Sequence, residues 1–401
     1  MSHNMQTTPD PVSAAVLRPS TAAEVAAAMK RASDARQATV IRGAGTKADW
    51  GRTAAPVDVV IDMRRLNRIL AHQHGDLTAT IEAGATLREV NDALARHGQW
   101  LPLDPPFDDR ATIGGILATN DSGPLRHRFG TPRDLVIGVS LATTDGVVSK
   151  AGGQVVKNVA GYDLSKLITG SFGSLAAIVS ATFKLSPLPA ASQTLVVEAA
   201  DAEALGRIVR EMMASQLEPI AFEIETGHSA QRPQNTQSSL LLRFASLPAV
   251  VDAQIAQAEA GLKACVTASR RIDGDAERAV WHEHTARLRD APGAIVRASW
   301  LPADVAAVVT ELQHAGAELS GRAAIGAGLI RIDGDDAAQA RAIERLRQSR
   351  TIGNIVIARG SPALKALVDV WGPQGDRAQL FASLKRAFDP NGVLNAGRGP
   401  L

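Results

Sequence analysis

The chain has 401 residues, 45% of them hydrophobic and 21% charged. This length predicts two or three domains and a large buried core. Lys and Arg number 43 against 41 Asp and Glu, and only 3% of residues are aromatic. A formal charge of +2 with so few stacking side chains argues against nucleic-acid binding. The single cysteine, Cys265, excludes an intrachain disulfide and an iron–sulfur cluster ligated by this chain alone.

In chain order, residues 1–11 are polar and lack an apolar core. A flexible tail, no signal peptide and no membrane span are expected, and so a cytoplasmic protein. Thr21 and Glu24 have capping-box spacing ahead of Val25, Met29 and Ala32, which predicts a helix of about three turns. Residues 38–42 and 57–62 read as strands with a loop at 43–53 between them. A strand at 77–82 leads to a second capping box, Thr86 with Glu89, and to a helix closed by Gly98. Residues 101–132 show little periodicity, and an ordered functional loop is expected there. A hairpin at 134–150, a short helix capped by Asp163, and a strand at 175–185 follow. Pro187 and Pro189 mark the domain boundary. Beyond it, strands are predicted at 194–199, 220–225, 239–244, 294–299, 328–332 and 353–358. Helices are predicted at 202–214, 248–263, 275–289, 302–315, 335–347 and 376–388. This order suggests two ferredoxin-like halves.

Three glycine-rich segments stand out. Arg42, Gly43, Ala44, Gly45, Thr46 and Lys47 follow a strand and could present backbone N–H groups and positive charge to a phosphate. The Walker spacing is absent, and Ala48 stands where a dinucleotide fingerprint needs its third glycine. A plain surface turn is the competing reading. The second segment runs from Pro105 through Thr112, Ile113, Gly114, Gly115, Ala118, Asn120, Ser122 and Gly123. Its small residues allow close backbone approach to a flat ligand. The third includes Asn158 and Gly161, with Gly173 and Ile178 after it.

The order and spacing of these segments resemble the FAD-binding domain of the vanillyl-alcohol oxidase and p-cresol methylhydroxylase (PCMH) flavoproteins. Within that family, Leu101–Pro106, Ser122–Arg126, Lys157–Leu164 and Phe388–Arg398 resemble the E-subunit branch of bacterial glycolate oxidases. The resemblance implies an α+β protein. A two-part PCMH-type FAD domain at 12–188 would precede an α/β cap domain at 189–360 with a mixed or antiparallel sheet. A segment at 361–401 would return to the FAD domain. It implies FAD bound by the three segments, with the first on the pyrophosphate. Thr46 stands where covalent-flavin relatives carry histidine, so the FAD is expected to be non-covalent. It further implies oxidation of glycolate, and of D-lactate, by hydride transfer to flavin. A larger flavin subunit and an iron–sulfur subunit would be partners, with any membrane association peripheral and through them. The metal-binding histidine motif of many D-2-hydroxyacid relatives has no counterpart at Ala323–Arg331, which has neither histidine nor acid. An alternative role is therefore FAD relay or assembly, with the chemistry on a partner.

No metal ligands and no catalytic residue are assigned from the sequence. His72 and His74 read as part of a polar loop, and His282 and His284 as solvated. Cys265 reads as a buried inert thiol and Tyr162 as a packing residue. Arg126, His127 and Arg128 read either as a carboxylate clamp or as a solvated or subunit-facing run. Trp281, Trp300 and Trp371 are expected in a core or interface.

Overall fold

A computed structural model describes residues 14–53, 56–105, 110–153, 162–227, 238–289 and 291–399. They form two compact units. The first takes in Met1–Ser122, Gly130–Leu188 and Pro373–Leu401, and the second Gly123–Phe129 and Pro189–Gly372. The break at Leu188 lies at the proline pair. The return begins at Pro373 rather than 361, and a short excursion at 123–129 interrupts the expected 12–188 stretch.

The first unit opens with β1 (Ala15–Leu17) and α1 (Ala22–Asp34). Thr21 starts α1 by accepting from the Glu24 amide at 3.2 Å, and Val25, Met29 and Ala32 form its buried stripe. Then come β2 (Thr39–Arg42), β3 (Val59–Asp62), β4 (Ile69–Gln73) and β5 (Thr78–Glu82). The reciprocal Thr86–Glu89 box starts α2 (Leu87–Ala95), and Gly98 after it takes φ +65°. A short β6 (Gln99–Trp100) follows. The expected loop at 101–132 instead contains α3 (Ile113–Thr119) and α4 (Arg126–Phe129), and α5 (Pro132–Leu135) begins at its end. These helices are too short to show a period in sequence. The unit continues with β7 (Val136–Ala142), β8 (Val148–Gly152), α6 (Leu164–Ile168), β9 (Ala177–Lys184) and β10 (Ser186–Pro187).

Strands β1, β3 and β2 form a parallel sheet, because α1 crosses over between β1 and β2. Strands β4-β5-β9-β7-β8 form a second, antiparallel sheet. This is the two-part architecture expected of the first domain.

The second unit runs β11 (Ala191–Ala199), α7 (Ala202–Ala214), β12 (Ala221–Thr226), β13 (Ser238–Ser246), α8 (Pro248–Leu262) and β14 (Ala268–Asp273). After α9 (Gly274–Arg289) come β15 (Ala294–Trp300), α10 (Val305–His314), β16 (Glu318–Arg322) and β17 (Ala327–Ile332). The unit closes with α11 (Asp336–Arg347), β18 (Ile352–Arg359) and α12 (Pro362–Leu367). The last helix of the chain, α13 (Arg377–Phe388), belongs to the first unit.

The eight strands lie in the order β14-β11-β13-β12-β16-β17-β15-β18, every pair antiparallel. Each half is a β-α-β-β-α-β unit of ferredoxin-like strand order. The halves join where β12 pairs with β16, Ile224 opposite Gly321. Residues of α7, α8, α10 and α11 cover one face of this sheet, over Phe222, Ile224, Leu242 and Ile330. Strands alternate their faces, so Glu223 and Glu225 of β12 point to the other side, toward α9. Strands β14 and β16 escaped the sequence reading for a physical reason. The first is an exposed edge strand with Arg270 and Arg271, and the second interleaves Ser320 and Arg322 with its apolar positions.

Candidate cofactor site

The first glycine segment leaves β2 and turns back on itself. Gly45 takes φ +74°, and the Ala48 amide donates to its carbonyl at 3.1 Å. The backbone N–H groups of Ala44, Gly45 and Thr46 donate to no acceptor among the described residues. Three successive half-buried donors left open in one turn are a geometry that could take an anion. Arg42, at the end of β2, lies opposite Asp62 in the parallel register. Burial alone would raise the Asp62 carboxyl; its hydrogen bonds with Arg64 and the charges of Arg64 and Arg42 hold it below its ordinary value.

The second segment meets the first at Gly43. A β-carbon there would lie 3.1 Å from Thr112 Cβ and closer still to the Thr112 hydroxyl. Thr112 caps α3 by accepting from the Gly115 amide at 3.4 Å. Gly114 serves packing: its amide donates to Ala83 O at 2.8 Å, and a β-carbon would collide with Ala83 Cβ at 2.8 Å. Ile113 is buried and donates to Ala85 O. The first amides of α3 are thus spent inside the protein, and the open donors belong to the first loop. Asn120 ends α3 at φ +46°, and its Oδ1 accepts from the Arg133 amide at 3.3 Å.

Lys47 is buried and pairs with buried Asp121 at 3.2 Å, its ammonium 5.7 Å from the Trp50 ring centroid. Its charge, expected to face a phosphate, is directed to Asp121, a residue outside the sequence-derived set. The pair ties the first loop to the end of α3. The stretch after α6 joins the same cluster. Gly170 and Phe172 donate to Leu117 O and Ala118 O, and a β-carbon at Gly173 would approach Asn395 Nδ2 to 2.9 Å.

Residues 393–398, also outside the set, close the first loop from below. Asn395 donates to Thr39 O through its backbone and to Phe172 O through its side chain. Arg398 donates to Trp50 O at 2.9 Å, to Lys47 O at 2.7 Å and to Ala48 O. Lys385 reaches Ser174 O, Leu394 O and Asp389, each within 2.8 Å. Ser171 Oγ and Asn395 Oδ1 are buried without a hydrogen-bond partner. The open amides of the first loop suit an anionic group such as a phosphate. Pro105 and Ile178 are buried, Ile178 inside β9, and Ser122 is half-buried. Gly123 opens the excursion into the second unit. Asn158 and Gly161 lie outside the described residues. Tyr162 is 94% exposed, so the packing role expected of it is not present.

The second unit holds a separate polar cluster. His284 is 4% exposed rather than solvated. Its Nδ1 lies 2.7 Å from Glu225 and its Nε2 3.1 Å from Glu223, with Ser320 Oγ 3.4 Å away. Burial would lower its pKa; the hydrogen bonds and charges of both carboxylates push it up to about 9. Arg322 stands 3.9 Å from Glu223, and Arg287 3.2 Å from Glu318. Glu277 and Trp281 share this face of α9, one to two turns before His284. Trp281 donates to Thr194 Oγ1, which donates to Glu277 at 2.6 Å. His282, two residues from His284, is exposed, as helical geometry requires. His127 on α4 is half-buried, with its ring 6.1 Å from Phe222; burial, its largest influence, holds its pKa below the ordinary value. Arg128 is exposed and pairs with Glu218 at 3.2 Å. Trp300 is buried, Trp371 packs on the core, and Cys265 is half-buried beside it.

Residues 13–152 match the FAD binding domain family. The chain is 37% identical over 182 residues to glycolate oxidase subunit GlcE of Escherichia coli, covering 45% of this chain and 50% of that protein. It is 31% identical over 209 residues to glycolate oxidase subunit GlcD of Bacillus subtilis, covering 52% and 44%. A D-lactate dehydrogenase of Archaeoglobus fulgidus is 34% identical over 172 residues, covering 43% and 38%. The chain thus spans half or less of the curated relatives it matches. A solved alkyldihydroxyacetonephosphate synthase superposes with a TM-score of 0.68 at 18% identity, over 95% of this chain and 76% of that one, which establishes the shared fold. Residues 13–152 thus match an FAD binding domain, and the chain is related in sequence to glycolate oxidase and D-lactate dehydrogenase subunits. Among the described residues, no helix is long and apolar enough to cross a membrane.

Proposed function

We propose that this chain is an FAD-holding subunit of a glycolate oxidase-type complex acting on glycolate, and on D-lactate, with a larger flavin subunit and an iron–sulfur subunit as partners. The observation that carries the reading is the row of open amides at Ala44, Gly45 and Thr46, in a domain matching FAD-binding proteins. Gly43–Thr46 would hold the pyrophosphate, with Thr112 and the α3 segment beside it and Arg398 fixing the loop from behind. Bound non-covalently, FAD supplies hydride acceptance from a 2-hydroxy acid. The chain's own residues orient it and keep the loop rigid: Lys47 through Asp121, and Asn395 through Phe172. The lone Cys265 supports placing iron–sulfur clusters on another chain.

A second reading has its own observation. The turn between β16 and β17, Ala323 to Gly326, has no side chain able to ligate a metal or take a proton. A relay or assembly subunit, with hydroxy-acid oxidation on a sister chain, accounts for that. The two readings separate on one measurement. The purified chain is desalted and its visible spectrum followed anaerobically with glycolate. Bleaching of the flavin by the chain alone establishes catalysis here. Bleaching only after the partner subunits are added establishes the relay. A chain that folds yet takes up no FAD, alone or with partners, overturns both.

A further inference from the structure

Three histidines from two segments of the first unit converge on one patch. His72 lies near the end of β4, His74 opens the 3-10 turn after it, and His97 follows α2. The His72–Gln73–His74 stretch is therefore strand and turn, not the loop expected. Ring centroids are 4.1 Å apart for His72 and His74, 3.9 Å for His74 and His97, and 5.2 Å for His72 and His97. One ring nitrogen from each lies within 4.8 Å of those of the other two. His72 is half-buried and the other two rings are exposed. We propose that His72, His74 and His97 form a binding site for a divalent transition-metal ion of the zinc class, open to water at its remaining position.

A hydrogen-bond chain prepares the least mobile ligand. Gln99 is buried, and its Nε2 donates to the His74 carbonyl at 2.9 Å. A carbonyl only accepts, so the amide orientation is fixed, and Gln99 Oε1 faces His72 Nε2 at 2.9 Å. That oxygen only accepts, so His72 carries its proton on Nε2 and its lone pair on Nδ1. An imidazole whose one nitrogen donates to a carbonyl, leaving the other to face a metal, is the arrangement metal sites use. Three imidazoles without carboxylate or thiolate match zinc, copper or nickel rather than calcium or magnesium. Nitrogens around tetrahedral zinc stand ~3.3 Å apart, given Zn–N bonds of about 2.0 Å. The nitrogens start within 4.8 Å of one another, two of the three rings are exposed, and Gln99 holds the third.

The test uses the full flavin-loaded chain, stripped with chelator and titrated with Zn²⁺ by equilibrium dialysis and metal analysis. One tightly held Zn²⁺ per chain is expected. His74→Asn and His97→Asn should each weaken it at least tenfold, with flavin content and circular dichroism unchanged. Gln99→Leu should weaken it roughly 10–100-fold, as loss of the group that orients a ligating histidine does. Equal zinc uptake by the wild type and both histidine variants overturns the site, and so does a wild type that retains no zinc.

Discussion

The two units treat their polar groups in opposite ways. In the first, glycines at 43, 114 and 173 bring loop, helix and C-terminal segment into contact with little side chain between them, and the amides of Ala44, Gly45 and Thr46 stay open. In the second, charges on β12, β16, β17 and α9 pair with one another: His284 between Glu223 and Glu225, and Arg287 and Arg331 on Glu318. An open set of donors has the capacity to take a charged group from outside. A closed set is a clasp, here holding the seam between two ferredoxin-like halves.

The largest effect is expected at the open set. Gly43→Val drives two methyl groups into the space of Thr112. FAD affinity should fall at least ~100-fold, roughly 3 kcal/mol, while far-ultraviolet circular dichroism persists. Flavin retained through desalting by a folded variant would break the comparison, because the first loop would then not hold the cofactor.

The closed set should answer differently. His284→Ala leaves two buried carboxylates facing each other without their cation, and loss of one partner of a buried pair costs about 3–5 kcal/mol. Urea unfolding should show that loss with flavin content intact. The pH dependence has a definite sign. The folded pKa of about 9 lies above the ordinary 6.5, so the histidine's contribution is complete below about pH 6.5 and drains away between there and 9. The wild type should lose stability across that window, and His284→Gln should lack that share of the slope. A His284 variant that sheds flavin while still folded would erase the distinction between the two sets.

Much of the architecture was legible because it rests on local signals. The Thr86–Glu89 box, Gly98 and the 3.6-residue stripe of α7 each act within a few residues of themselves. The doubling was suggested by six of the eight strands alternating with helices, while β14 and β16 had no apolar run to mark them. The glycine segments were legible for the same reason: a missing side chain is visible in the sequence. What escaped reading depends on partners far along the chain. Asp121 acquires meaning only beside Lys47, and Arg398 only beneath residues 47–50. His284 looks like one of two histidines on a polar helix until β12 presents two carboxylates to it. His97 joins His72 and His74 only through the fold. Helix α3 was missed because seven residues rich in glycine have weak intrinsic helix preference, and Thr112 and the Ala83–Ala85 backbone supply what the sequence lacks.

The smallest expected effect makes the sharpest control. Gly45 and Gly98 both sit at positive φ, +74° and +65°. A β-carbon at Gly98 meets nothing within 4 Å, and one at Gly45 meets only Arg42 Cδ at an ordinary 3.6 Å. Neither Gly→Ala change creates a collision, so each should cost about 1 kcal/mol of conformational strain, seen as a similar shift in urea midpoint. Their functional consequences should part. Gly98 only ends α2, so Gly98→Ala leaves FAD affinity where it was. Gly45 sets the direction of the amides on either side of it, so relieving its strain turns Ala44 and Thr46 away from a common point. FAD affinity should then fall about tenfold, equivalent to ~1.4 kcal/mol. Equal FAD affinity in the two variants would mean that the turn is held by Lys47 and Arg398 alone, and that the glycine is there for the chain reversal rather than for the cofactor.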